Sequence, residues 1–128
     1  GKMNFTDCGH NEIKELSVSN CTGNYCVIHR GKPLTLDAKF DANQDTASVG
    51  LVLTAIIDGD IAIDIPGLET NACKLMKCPI RKGEHQELIY NIGEIPDATP
   101  EIKAKVKAQL IGEHGVLACG WVDGEVQE

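Results

Sequence analysis

Apolar and polar residues alternate along most of the chain. In "LTLDAKFD" the apolar positions are Leu34, Leu36, Ala38 and Phe40, with Thr35, Asp37, Lys39 and Asp41 between them. "DIAIDI" sets Ile61, Ile63 and Ile65 on one side, and "EIKAKVKAQL" does the same with Ile102, Ala104, Val106, Ala108 and Leu110. The last stretch is the decisive one, because Lys and Ala favour helices. A helix begun at Ile102 wants apolar residues at 105, 106 and 109 and finds Lys105, Val106 and Gln109, whereas the strand pattern is met at every second position. Burying one face outweighs a weak propensity, so a strand is predicted here.

Further strands are predicted over 13–18, 26–30, 48–57, 87–93 and 115–122. The segments between them carry turn chemistry: "HRGKP", "DANQDT", "IPGLETN", "CPIRKGE", "IPDATP" and "GEHG". Asp58-Gly59, between two apolar runs, is the best hairpin signal in the chain. No segment makes a convincing long helix. Short strands at this spacing predict an antiparallel sandwich or barrel. With 128 residues and no linker or repeat, a single domain over 1–128 is expected. The inward-facing set of such a sandwich is Leu36, Ala38, Phe40, Leu51, Leu53, Ile61, Ile63, Ile65, Leu88, Tyr90, Ile92, Ile102, Ala104, Val106, Ala108, Leu110 and Leu117. An immunoglobulin domain proper has a tryptophan between two bridged cysteines. The only tryptophan, Trp121, lies beyond the last cysteine, so the resemblance to that fold is one of layout.

Six cysteines suggest an oxidising compartment. Cys21 and Cys26 are five apart, as are Cys73 and Cys78. Four thiolates from these pairs could hold zinc, but four intervening residues is the loose end of the usual spacing, and Cys8 and Cys119 are left over. A redox pair of the two-residue spacing is absent. The preferred reading is three disulfides, for which 15 connectivities exist. Closure within each near pair is the simple choice, and it leaves Cys8 with Cys119.

Composition narrows the function classes. A formal net charge of -7 argues against a nucleic-acid partner, since phosphates need neutralising cations. The longest apolar run, residues 49–57, is too short for a membrane span of ~20 residues, so stable insertion is not expected. "GKMNFTDCGH" has no apolar core of the signal-peptide kind, so in a secreted protein this would be mature sequence. Asn4-Phe5-Thr6 and Asn20-Cys21-Thr22 are glycosylation triplets that matter only in a secretory chain. No catalytic or phosphate-binding motif occurs. Ser17, Ser19 and Ser48 are not near a histidine in sequence. His10, His29, His85 and His114 lack metal-ligand spacing, with loop or hydrogen-bonding roles expected for His29 and His114. Asp58 and Asp60 belong to the hairpin. The chain is therefore expected to be no enzyme, with no metal and no cofactor. Lys103, Lys105 and Lys107 share one face, a candidate headgroup stripe, but a solvated face that discourages edge pairing is the preferred reading. Arg30, Lys32, Arg81 and Lys82 lie in loops as candidates for a pocket mouth.

Four stretches then carry a resemblance. "DCGHNEI", "CVIHRGKPLTLDAKFDANQDT", "IPGLETNACKLMKCPIRKGE" and "GEHGVLACG", in that order and with all six cysteines in place, resemble the group 2 mite allergens over essentially the whole chain. Those proteins belong to the ML (lipid-recognition) family, which also contains the Niemann–Pick type C cholesterol-transfer protein. The resemblance implies a secreted, extracellular, immunoglobulin-like β-sandwich of two antiparallel sheets with an internal hydrophobic cavity. It implies the pairing Cys8–Cys119, Cys21–Cys26 and Cys73–Cys78. It implies a lipid, fatty acid or sterol ligand, no catalysis, and IgE antibodies as partners in sensitised hosts. Composition alone favours an ordinary close-packed core, although Ala38, Ala104 and Ala108 leave space if the sheets splay; the resemblance reverses that preference. The alternative is a secreted interaction module with a solid core and no lipid ligand.

Overall fold

Nine strands follow the alternation closely in a computed structural model that describes residues 1–128. They are β1 (Thr6–Asp7), β2 (Ile13–Val18), β3 (Tyr25–His29), β4 (Pro33–Asp41), β5 (Gly50–Ile57), β6 (Ile61–Asp64), β7 (His85–Glu94), β8 (Lys103–Gly112) and β9 (Gly115–Gln127). The one helical element is a 3₁₀ turn at Ala72–Lys74, held by the Asn71 side chain, which accepts from the Cys73 N–H at 3.0 Å. "EIKAKVKAQL" is a strand, as its period requires.

Two sheets stack. The larger runs β6-β5-β8-β9, with β1 and β3 both on the far edge of β9; the smaller is β2-β4-β7. All pairs are antiparallel except β3 with β9. Two expectations need correction. The last strand continues five residues past 122, because Gly124 lets β3 come alongside: a Cβ there would lie 2.5 Å from the Cys26 carbonyl oxygen. The lysines of β8 guard no edge, since β8 lies between β5 and β9. Lys103 and Lys105 instead stand opposite Glu125 and Asp123 on the outer face, and the Lys105 ammonium lies 3.6 Å from the Trp121 ring centre.

All six cysteines are bridged as Cys8–Cys119, Cys21–Cys26 and Cys73–Cys78. No thiolate is left for zinc. The long bridge fastens the N-terminal segment to β9, and the Cys73–Cys78 bridge closes a turn in the long β6–β7 connection. That connection wraps one end of the sandwich through backbone bonds Leu51 N–H to Thr70 O, Ala72 N–H to Val49 O and Ile80 N–H to Thr46 O.

Candidate functional site

Pairing registers show which side chains point between the sheets. On the large sheet Leu51, Leu53 and Ala55 of β5 stand opposite Leu110, Ala108 and Val106 of β8. Ala108, Val106 and Ala104 in turn face Gly120, Val122 and Gly124 of β9. Ile63 and Ile61 of β6 stand opposite Ala55 and Ile57. The small sheet answers with Leu36, Ala38 and Phe40 of β4 beside Leu88 and Tyr90 of β7 and Leu16 and Val18 of β2.

Burial along this inner surface is uneven, and the unevenness has a direction. At the end wrapped by the β6–β7 connection the core is solid. Leu117 is 0% exposed and Phe40 1%, and they pack with Leu51, Leu53, Leu88, Tyr90 and Leu110. Polar bonds lock the loops over this end. Buried Glu12 accepts from the His10 N–H at 2.7 Å and the Asn43 amide at 2.8 Å, and Gln44 accepts from the His114 N–H at 2.9 Å. The Tyr90 hydroxyl accepts from the Glu69 N–H at 2.7 Å. The Asn71 N–H, with Lys74 beside it, holds the Glu69 carboxyl below its ordinary range.

Toward the other end the packing loosens. Leu36, Ile65, Ile92 and Ala108 are half-buried at the border of the solid core, and Ala38 borders a smaller cluster of Met3, Leu16, Val18, Cys21 and Cys26. Ile57, Ile102, Ala104 and Val106 are half-buried and join neither cluster. Ile61 and Ile63 are 52% and 49% exposed. Interior side chains that pack at normal density leave no room for solvent. The apolar surface is therefore sealed at the Phe40–Leu117 end and more accessible toward the Asp58-Gly59 end, where Ala55, opposite Val106 and Ile63, is itself buried. At the same end of β8 and β9 a surface hollow of about 490 Å³ is lined by Ile102 and Val126 together with the polar Glu101, Lys103, Glu125, Gln127 and Glu128.

The structure thus divides the inward set. Phe40, Leu51, Leu53, Leu88, Tyr90, Leu110 and Leu117 form the solid end. Leu36, Ala38, Ile65, Ile92 and Ala108 form its border, and Ile61, Ile63, Ile102, Ala104 and Val106 lie in the open part. Sequence reasoning missed Ala55 and Ile57, and with them Val122, Val126, Leu16 and Val18. The first two lay within a predicted strand but inside an unbroken apolar run, which hides its facing. In β9 the inward positions Gly120 and Gly124 interrupt the apolar alternation; a Cβ on Gly120 would meet Ile13 Cδ1 at 2.9 Å.

The loop cations separate. Arg30 and Lys32 are at the open end. Arg81 and Lys82 are at the closed one, where their N–H groups donate to Glu84 and Asp45; they do not border the opening. His29 at the open end is 2.7 Å from the Glu128 carbonyl oxygen, and His85 pairs with Asp41. No three His, Cys, Asp or Glu side chains gather as a metal set.

Residues 2–126 match the family model of the ML domain. The chain is 55% identical over 127 residues to the mite group 2 allergen Lep d 2 of Lepidoglyphus destructor, which covers 99% of this chain and 89% of that protein. It is 50% identical to the mite group 2 allergen Gly d 2.02 of Glycyphagus domesticus, over 99% of this chain and all of that one (100%). To the NPC intracellular cholesterol transporter 2 of Canis lupus familiaris it is 30% identical over 94% and 82% of the two chains. Among solved structures, a Niemann-Pick type C2 protein from Japanese carpenter ant superposes with a TM-score of 0.88 at 20% identity, over 97% of this chain and 99% of that one. Chicken MD-1 complexed with lipid IVa gives 0.60 at 20% identity, over 93% and 85%.

Proposed function

The chain belongs to the ML-domain family, and from that premise we propose that it is a secreted, non-enzymatic carrier that holds a lipid, fatty acid or sterol between its two sheets. The observation that carries this reading is the gradient of burial along the inner face, from 1% at Phe40 to 52% at Ile61. A solid-core module has no reason to leave Ala104, Val106 and Ile57 accessible on the side that faces the other sheet. Binding is then a transfer of apolar surface out of water, at about 25 cal/mol per Å², with no covalent step. A relative named for cholesterol transport and a neighbour complexed with lipid IVa support the ligand class. Three disulfides support an extracellular location. Similarity to Lep d 2 supports IgE recognition in mite-sensitised hosts; IgE from such sera should bind this protein, and that binding should be competed by Lep d 2.

The test is direct. Trp121 lies on the outer face, so its emission is a poor reporter of the inner surface and an extrinsic probe is needed. Delipidated protein should take up a fluorescent sterol or fatty acid, and native mass spectrometry after mild purification should show a retained lipid. Protein that binds no such probe and gains no thermal stability from any lipid tried would sink the carrier reading.

A further inference from the structure

Asp-Gly occurs twice in the chain, within Ile57-Asp58-Gly59-Asp60 and Val122-Asp123-Gly124-Glu125. The neighbours are alike in kind: a β-branched apolar residue before and an acid after. A difference in chemistry between the two pairs therefore comes from the fold, and the fold treats them oppositely.

Asp58 and Gly59 lie in the turn between β5 and β6, next to the last paired residues, Ile57 and Ile61. Both are exposed, and both have left-handed backbones, at φ 54° and 85°. Nothing lies within 4 Å of a Cβ built on Gly59, and the Gly59 N–H donates to no backbone carbonyl. Strand β6 pairs only with β5, and all four of its residues are exposed. The second pair sits inside β9. Asp123 stands between Lys105 of β8 and Tyr25 of β3, and Gly124 between Ala104 and Cys26. Gly124 is buried, and a Cβ there would lie 2.5 Å from the Cys26 carbonyl oxygen.

We propose that Asp58 is a site of spontaneous isomerisation to β-linked aspartate, and that the fold protects Asp123 from the same reaction. The Gly59 nitrogen attacks Cγ of the Asp58 carboxyl. A C–N bond forms, and the carboxyl hydroxyl leaves with the nitrogen's proton as water. Glycine suits this step because it has no side chain to obstruct the approach. The product is a five-membered cyclic imide, which water reopens. Cleavage at Cγ restores aspartate. Cleavage at the main-chain carbonyl carbon leaves the chain running through Cβ and Cγ. One water is lost and one is gained, so the mass is unchanged and no oxidant or cofactor is required. The ring closes only when the Asp-Gly peptide plane rotates. At Asp58 that rotation moves an unpacked turn. At Asp123 it breaks a ladder shared with two strands, which needs a local opening of the sheet. The carbon added to the main chain at residue 58 lengthens the turn, so the pairing of Ile57 with Ile61 loses its geometry and β6 loosens from β5.

The test ages the full, disulfide-bonded chain at pH 7.4 and 37 °C beside a reduced sample unfolded in guanidinium chloride. Methyl transfer by an isoaspartyl methyltransferase counts the β-linkages, and fragmentation of the peptides locates them. In the unfolded chain the two sites should isomerise at similar rates. In the folded chain Asp58 should lead Asp123 by about tenfold or more, since about 1.4 kcal/mol of local opening already slows a site tenfold. Amide hydrogen exchange over residues 61–64 should be faster in the isomerised fraction than in the parent. Equal rates at the two sites of the folded chain overturn the assignment. So does a folded chain without β-linkage at Asp58 after the unfolded chain has gained it. Unchanged exchange over residues 61–64 overturns the loosening of β6.

Discussion

On the outer face of the small sheet, Asp37 of β4 stands beside Glu87 of β7. One oxygen of Asp37 is buried and has no hydrogen-bond donor, and the hydrogen bond with Asp37 pushes the Glu87 carboxyl above its ordinary range. Lys39 opposes the shift and Glu15 adds to it; Lys2 reaches Glu15 at 3.1 Å. A carboxyl raised in the folded state stabilises while it is protonated, and that contribution is lost as pH rises through the folded pKa. Glu87→Gln should therefore melt higher than the parent at pH 7, and the two should converge near pH 4 in thermal scans. Glu15, Glu69, Glu113 and Glu125 are shifted the opposite way. Their contributions are present above the unfolded pKa and fade as acid is added. Buried Glu12 is a different case. Glu12→Ala removes the acceptor of the His10 N–H and one of the two acceptors of the Asn43 amide, which keeps the Val116 carbonyl, and should cost about 1–3 kcal/mol in a urea titration.

At the scale of elements, the two ends of the inner surface should respond oppositely to the same kind of change. Leu88→Ala, in the solid end, should cost about 2–5 kcal/mol through lost burial and a cavity. Val106→Phe falls in the more accessible part, at a half-buried position between Ala55 and Val122 that neither buried cluster includes. It should spare stability where overpacking in a closed core costs about 1–3 kcal/mol, yet weaken probe binding. Equal losses from both would place Val106 in a closed core. The disulfides divide by span in a similar way. Cys8–Cys119 joins residues 111 apart and Cys73–Cys78 residues 5 apart. In the chain-entropy model the first contributes about 5 kcal/mol and the second about 2 kcal/mol. Cys119→Ser should then destabilise more than Cys78→Ser, and comparable losses in a denaturant titration would count against that ordering.

For the whole molecule, a ligand at a hundred times its dissociation constant should add about 2.7 kcal/mol of stability, readable as a rise in Tm on loading. How much of this was visible in the sequence depends on which property is asked for. Period two exposes the facing of β4 and of β8 up to Leu110, because polar and apolar residues take turns there. It fails for β5, where "LVLTAII" is apolar on both faces, and for β9, where glycines replace the inward side chains. The disulfide pairing is accessible from spacing. The division into a solid and an open end is not, because Leu51 and Ile61 read alike in the sequence. Only the wrapping of the β6–β7 connection around one end separates them, and that contact is made by residues far apart in the chain.

The short strand β6 ends the large sheet with an unpaired edge, and it carries Ile61 and Ile63 in the open. An unpaired edge is a template for another chain. The empty protein therefore offers neighbours both a row of free peptide groups and an apolar strip. What holds copies apart is their shared charge of -7. Crowding in brine is consequently a harsher trial for the unloaded molecule than moderate warming. Light scattering should show it clumping as salt rises, and a bound lipid should act as its solubiliser.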